Sequence, residues 1–235
     1  MKAILLCAGF GKRLGSITKN KPKCLLPINN KPLLEIWLEK LFSSNIKEIL
    51  INSHYLSDQV RLFVGESKYK TRIKFVYERK LLGTAGTLVK NINFFDNQDG
   101  LLIHSDNYVE EDIGNFISFY KKNKMPLSLI AFKTSDFKNS GILKIKKNNT
   151  VVNIFEKKNI SHGKYANGAV YILSKKAQAE IKKNFFRKKD FAKDILPNFL
   201  GRISALKTKK IFVDIGNMER YTRLNLLLSN KNHIK

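Results

Sequence analysis

The chain has 235 residues, of which 43% are hydrophobic and 11% aromatic, so its composition favours a packed globular core over disorder. No apolar run is long enough for a membrane span, and residues 3–7 are too short for a signal peptide, so we expect a cytoplasmic protein with no membrane partner. The formal net charge is +25, but the cations are spread along the chain, so we interpret the charge as compositional and expect no nucleic-acid partner.

Apolar and amphipathic segments alternate through the first half of the chain. Strands are predicted at residues 2–7, 48–52, 73–77, 101–104 and 127–132. Helices are predicted between them at residues 33–44, 56–64, 84–94 and 113–122. This alternation is typical of an α/β fold with a Rossmann-like, mostly parallel sheet flanked by helices.

The second half has a different pattern. Residues 141–146 and 151–155 flank a polar turn and predict a β-hairpin, and a further strand is predicted at 167–173. Ser174 is a candidate N-cap for a helix over 175–183, and Asp190 opens another that runs to residue 195. One or two short strands over 206–213, a closing helix over 218–229 and a loose tail at 230–235 complete the prediction. We therefore expect a single domain over 1–235, with a core over about 1–135 and a small antiparallel lobe plus closing helix over about 136–235.

The loop after the first predicted strand is suited to binding phosphate. Glycines leave backbone N–H groups open to an anion, and Arg13 can donate two hydrogen bonds to phosphate oxygens. The pattern is neither a P-loop nor a dinucleotide fingerprint, because the required glycine and lysine spacing is missing. The candidate phosphate-binding residues here are Ala8, Gly9, Gly11, Lys12, Arg13 and Lys23.

Three carboxylates follow predicted strands or lie in small-residue segments. Glu78 precedes Gly83 and Thr84, where a carboxylate can accept from a nucleobase edge or a helix can simply begin. Asp106 follows the fourth strand, a position suited to a metal ion, whereas the neighbouring His104 is better explained by packing. Asp214 can serve a metal or cap the last helix, and sequence alone does not pair it with Asp106.

The motif Gly9-x-Gly11-x-Arg13-Leu14 followed by Pro22-Lys23 resembles the signature of the sugar-phosphate nucleotidyltransferases, and further motifs follow in that family's order up to about residue 227. The resemblance implies that Gly11 and Arg13 hold the triphosphate and that Lys23 contacts the phosphates. It also implies that Asp106 and Asp214 bind one Mg²⁺. Two residues depart from the pattern: Lys12 replaces a Thr or Ser, and Ser105 replaces a Gly.

The same resemblance assigns the remaining candidates. Glu78, Gly83 and Thr84 correspond to the nucleobase side of the site. On the sugar side, Gly141 would lie against the ring and Glu156 would hold hydroxyl groups, with Asn167 lining the same pocket. Lys157 would hold the sugar phosphate, although Glu156-Lys157 by itself is typical of a surface charge pair.

These implications give a reaction and its partners. An NTP, with GTP favoured, and a sugar 1-phosphate of mannose or heptose type would give an NDP-sugar and pyrophosphate for surface-glycan synthesis. A cytidylyltransferase acting on a non-sugar phosphate such as phosphocholine is the alternative enzyme, because enzymes of that type can carry a segment that resembles Asp106-Asn-Tyr. A basic nucleic-acid-binding module is the more remote alternative. The sequence predicts no particular oligomeric state.

Overall fold

The computed structural model describes residues 1–156 and 163–232. Its first strand, β1 (Lys2–Leu6), lies inside the sheet and illustrates how the sheet is built. Ala3 and Leu5 point to one face of the sheet and Ile4 points to the other, and all three are fully buried. Because alternate residues face opposite sides of a strand, this uninterrupted apolar run requires cover on both faces.

The elements of the first half follow the predicted alternation. They are β1, β2 (Pro27–Ile28), β3 (Lys31–Pro32), α1 (Leu33–Ser43), β4 (Ile49–Ser53), α2 (Ser57–Glu66), β5 (Ile73–Tyr77), α3 (Gly83–Asn91), β6 (Gly100–His104), β7 (Asn107–Val109), α4 (Ile113–Asn123) and β8 (Leu127–Lys133). The five predicted strands are confirmed within one or two residues. Short 3-10 helices lie at Lys12–Thr18, Lys23–Leu25, Lys70–Arg72 and Ile92–Phe95.

The second half contains more antiparallel pairing. Its elements are β9 (Gly141–Ile145), β10 (Thr150–Glu156), β11 (Tyr165–Leu173), α5 (Lys175–Asn184), β12 (Ile203–Thr208), β13 (Phe212–Asp214) and α6 (Met218–Asn232). The caps predicted at Ser174 and Asp190 are confirmed, since each side chain accepts from a backbone N–H three residues on. The segment that Asp190 opens is a π-helical turn, Phe191–Ile195, followed by a 3-10 turn, Leu196–Phe199.

One mixed sheet organises the described ranges, in the order β5-β4-β1-β6-β11-β8-β12-β10-β9. The pairs among β5, β4, β1 and β6 are parallel, as is β8 with β12, whereas β11 is antiparallel to both of its neighbours. The α/β class is thus confirmed. The antiparallel strands continue the same sheet, because β11 inserts between β6 and β8.

Helices cover both faces of this sheet. One core contains the apolar faces of α1, α2, α4 and α6, and the other contains those of α3, α5 and the π-helical turn. The predicted loose tail is wrong at its start, because α6 continues through Asn232. No helix among the described residues is long and apolar enough to cross a bilayer.

Candidate active site

The glycine-rich loop after β1 is folded around the buried Thr18. The Thr18 hydroxyl donates to the carbonyl oxygens of Gly11 (3.1 Å) and Gly15 (3.2 Å). Gly11 has a φ of 67°, and a Cβ there would lie 2.9 Å from Thr18 Cγ2, so both backbone conformation and space require glycine. This packing fixes the turn that carries the exposed Lys12 and Arg13, and Lys12 Nζ lies 5.2 Å from the Phe10 ring centroid.

The two predicted metal ligands meet through a short ladder that the sequence did not indicate. Strand β7 pairs with β13 in antiparallel register, with Asp214 opposite Asn107. Ile215 N also donates to Asp106 O at 3.0 Å. The partly exposed carboxylates of Asp106 and Asp214 therefore lie at the same end of the sheet although they are 108 positions apart in the chain.

Lys23 joins this pair of carboxylates. Its Nζ lies 2.6 Å from Asp106 Oδ2 and 3.8 Å from Asp214 Oδ1, while the lysine itself is buried. Arg13 approaches from the glycine-rich loop, with Nη2 3.0 Å from the position that a Cβ on Gly216 would occupy. The structure thus brings together Arg13, Lys23, Asp106 and Asp214.

The two carboxylates have opposite pKa shifts. Burial tends to raise the pKa of Asp106, but the adjacent Lys23 ammonium and His104 outweigh it, and the net shift is downward. Burial and the negative charge of Asp106 raise the pKa of Asp214 despite the opposing Lys23, Arg220 and Arg13. Burial also lowers the pKa of His104. Two carboxylates close enough to repel each other form a site that gains from a further cation.

These residues fit a divalent cation such as Mg²⁺. Asp214 Oδ1 is buried and accepts no hydrogen bond from the described residues, so it can bind a cation. The Lys23 ammonium is within 4 Å of both carboxylates, which shows that the two can face one positive charge. No group of three or more His, Cys, Asp or Glu suited to a metal occurs in the described ranges. Two protein carboxylates are enough for a Mg²⁺ site, because Mg²⁺ is commonly bound by one or two protein carboxylates together with substrate phosphates and water.

A cleft of about 180 Å³ opens beside Asp106. It is lined by several predicted residues: Ala8, Gly9, Lys23, Gly83, Thr84 and Asp106. Asn52 and Thr87 also line it, and sequence reasoning missed both. The sequence feature that could have indicated Asn52 as a site residue is its position, as a polar residue at the end of the apolar run over 49–51.

Glu78 lies beneath this cleft and organises its wall. It is 1% exposed, and its carboxylate accepts from Asn52 Nδ2 (2.9 Å), Thr87 Oγ1 (2.5 Å) and Leu82 N (3.1 Å). Asn52 Oδ1 in turn accepts from Cys7 N at 2.8 Å. A direct contact between Glu78 and a base requires this network to open, whereas Asn52 and Thr87 already reach the cleft.

Gly83 has a packing role at the edge of the cleft. Its φ is 77°, and a Cβ there would overlap the Lys189 carbonyl oxygen. Two hydrogen bonds hold the same contact: Ala85 N donates to Lys189 O (3.0 Å) and Phe191 N donates to Thr84 Oγ1 (2.8 Å). The segment before the π-helical turn therefore packs directly on the start of α3.

The predicted sugar-side residues lie on the antiparallel strands. Gly141 pairs with Glu156 across β9 and β10, and a Cβ on Gly141 would lie 2.7 Å from Glu156 Oε1. The Asn167 side chain is engaged locally, since Nδ2 donates to Tyr171 Oη (2.7 Å) and Oδ1 accepts from Ala169 N (3.0 Å). Among the described residues, no hydrogen bond or ion pair joins these three residues to Asp106 or Asp214. Lys157 lies outside the described residues.

Comparison with known proteins identifies a family and several similar proteins. The model of the family described as "Nucleotidyl transferase" matches residues 2–231. Two similar proteins are D-glycero-alpha-D-manno-heptose 1-phosphate guanylyltransferases. The one from Campylobacter jejuni is 29% identical over 94% of this chain and 97% of its own length. The one from Aneurinibacillus thermoaerophilus is 27% identical over 95% of this chain and 96% of its own length. HddC from Yersinia pseudotuberculosis, solved complexed with GMP-PN, superposes with a TM-score of 0.81 at 28% identity, covering 97% of this chain and 99% of that one.

Proposed function

Because the chain belongs to the nucleotidyl transferase family, we propose that it transfers the nucleoside monophosphate of an NTP to a sugar 1-phosphate and releases pyrophosphate. GTP is the favoured triphosphate, and a mannose- or heptose-type sugar 1-phosphate is the favoured acceptor. The observation that carries this proposal is the convergence of Asp106 and Asp214 on Lys23, beside the glycine-rich loop and Arg13. This arrangement joins cations for phosphates with carboxylates for Mg²⁺ at one end of the sheet.

The residues around the cleft suit the triphosphate. Backbone N–H groups of Ala8, Gly9 and Gly11, with the Lys12 and Arg13 side chains, would bind the β- and γ-phosphates and stabilise the leaving pyrophosphate. Lys23 would hold the α-phosphate region as charge moves during transfer. Gly83 and Thr84 would receive the nucleobase, on a wall that Glu78 positions through Asn52 and Thr87.

Asp106 and Asp214 would hold Mg²⁺. A bound Mg²⁺ supplies neutralisation of phosphate charge as pyrophosphate leaves. The acceptor side would be formed by Gly141, Glu156, Asn167 and Lys157, with Lys157 orienting the attacking phosphate. The chain's own contribution is mainly to align two anions that repel each other, so that a sugar-phosphate oxygen attacks the α-phosphorus in line.

The choice of base and acceptor is supported by the similar proteins. Both curated relatives are named as heptose 1-phosphate guanylyltransferases and match this chain over nearly its whole length, which favours GTP and a sugar acceptor over CTP and phosphocholine. We further propose a cytoplasmic enzyme of nucleotide-sugar synthesis for surface glycans. Residues 1–135 would form its nucleotide part and 136–235 its acceptor part.

A substrate panel tests this proposal. Pyrophosphate release is measured with Mg²⁺ across four NTPs, mannose, heptose and glucose 1-phosphates, and phosphocholine. The expected result is release that requires GTP and a mannose- or heptose-type phosphate together. Release with CTP and phosphocholine alone would overturn the acceptor assignment, and an absence of triphosphate binding would overturn the proposal as a whole.

A further inference from the structure

Arg220 links the predicted metal ligand Asp214 to a loop outside the cleft. Its Nη1 donates to Asp214 Oδ2 at 3.1 Å, and its Nη2 forms an ion pair with Asp136 Oδ2. Asp136 lies in the loop over residues 134–140 between β8 and β9. One guanidinium therefore bridges two carboxylates, one in the metal site and one in a loop.

The position of Arg220 is fixed by its helix. Asn217 Oδ1 accepts from Arg220 N at 2.9 Å, which caps the start of α6 and places Arg220 in the first turn. Leu224, one turn further on, is buried in the core. The base of the Arg220 side chain is thus held rigidly beside Asp214, and its planar guanidinium can serve both partners at once.

Asp136 is also held in place, by hydrogen bonds within its own loop. Its carboxylate accepts from Asn139 Nδ2 (3.0 and 3.1 Å), and its own N–H donates to Thr134 Oγ1 (3.0 Å). The loop borders a second cavity of about 370 Å³, which is also lined by Asp214, Arg220 and Ser140. Since Ser140 immediately precedes Gly141, the loop leads directly into the proposed acceptor side.

Arg220 and a divalent cation would therefore compete for the Asp214 carboxylate. Asp214 neutralises Arg220 in the structure described here, and a divalent cation would claim the same carboxylate. We propose that Arg220 is a positioning residue that shares Asp214 with the metal ion and, tied to Asp136, couples metal binding to the 134–140 loop. This inference rests on the proposed function, because it takes Asp214 as a metal ligand.

The coupling predicts a particular pattern of metal affinity. Arg220→Gln removes one of the cations that compete for Asp214 and leaves Lys23 in place, so Mn²⁺ should bind more tightly, by roughly fivefold for one partly exposed ion pair. Asp136→Asn leaves Arg220 with Asp214 as its remaining partner, so Mn²⁺ should bind more weakly by a similar factor. In the Arg220→Gln background, Asp136→Asn should change Mn²⁺ affinity little, because the bridge that transmits its effect is gone.

The experiment is a double-mutant cycle on metal binding. Bound Mn²⁺ is titrated by electron paramagnetic resonance with the α,β-methylene analogue of the preferred triphosphate, which cannot be cleaved at the α-phosphorus. Arg202→Gln is the matched control, since Nη1 and Nη2 of Arg202 both donate to the Glu180 carboxylate at an exposed site. Trypsin cleavage after the exposed Lys138 is followed in the metal-free proteins and should accelerate in Arg220→Gln and Asp136→Asn but not in the control.

The outcomes separate the possible explanations. Non-additive changes in Mn²⁺ affinity, with faster cleavage in both loop variants, support the bridge. Additive changes mean that the two charges act independently through the overall field and overturn it. Failure of the wild-type protein to bind Mn²⁺ with the analogue would instead overturn the metal site of the proposed function, and the bridge with it.

Discussion

At the scale of single residues, the positive charge of Lys23 lies between two carboxylates from distant parts of the chain. It is closer to Asp106 (2.6 Å) than to Asp214 (3.8 Å), which agrees with the lowered pKa of Asp106 and the raised pKa of Asp214. Asp106 is therefore the carboxylate that stays ionised most readily. It is the residue on which the proposed metal site depends most.

Asp106→Asn should lower turnover by at least about 100-fold, because it removes the charge that holds both Lys23 and the proposed metal ion. The measurement is steady-state pyrophosphate release, with thermal unfolding as the check on folding. Asp58→Asn makes the same chemical change at an exposed position in α2 and should leave turnover unchanged. Near-wild-type turnover in Asp106→Asn would remove Asp106 from the metal site.

Glu78→Ala tests the buried network under the cleft. It leaves three donors, on Asn52, Thr87 and Leu82, without their shared acceptor, so the free energy of unfolding should fall by about 2–3 kcal/mol. The KM for the triphosphate should rise, while the KM for the sugar phosphate stays near its original value. Urea unfolding and initial rates measure the two effects. An unchanged stability would contradict the network, and Glu48→Ala at a solvent-exposed ion pair is the control.

At the scale of secondary-structure elements, the contact between α3 and the segment before the π-helical turn forms the edge of the cleft. Gly83→Ala should disrupt it, because the new methyl group meets the Lys189 carbonyl oxygen at a φ of 77°. Gly201→Ala is a matched control with a φ of 80° and no atom within 4 Å, so it should cost only the backbone term of about 1–2 kcal/mol. Urea unfolding should show a clearly larger loss for Gly83→Ala. Equal losses would mean that the close approach to Lys189 is unimportant.

The elements were predictable wherever one local pattern determined them. The apolar run of β1, the buried face of α1 and the cap at Ser174 each follow from neighbouring residues alone. The pairing of β7 with β13 was not predictable, because each strand has three residues and its partner lies about a hundred positions away. The pairing of Asp106 with Asp214 came only from the family resemblance for the same reason. The buried role of Glu78 was missed because its hydrogen-bond partners lie on other elements.

At the scale of the whole molecule, buried tyrosines should make stability depend on alkaline pH. Burial raises the pKa of Tyr171 above its ordinary value of 10, and its hydroxyl accepts from Asn167 at the centre of the sheet. A group with a raised folded-state pKa contributes fully below its unfolded pKa and loses that contribution as pH rises above it. The stability of the wild-type protein relative to Tyr171→Phe should therefore fall as pH rises above about 10. Urea unfolding at several pH values measures this difference, which cancels the loss of lysine charge common to both proteins; a difference independent of pH would contradict it.

In the proposed reaction, a sugar-phosphate oxygen attacks the α-phosphorus of the triphosphate. The most direct measurement uses a sugar 1-phosphate whose phosphate oxygens are ¹⁸O, incubated with the preferred NTP and Mg²⁺, and mass spectrometry of the products. We expect an NDP-sugar that retains every ¹⁸O atom of the acceptor and pyrophosphate that carries none. Free NMP, labelled pyrophosphate or loss of ¹⁸O from the NDP-sugar would contradict that reaction.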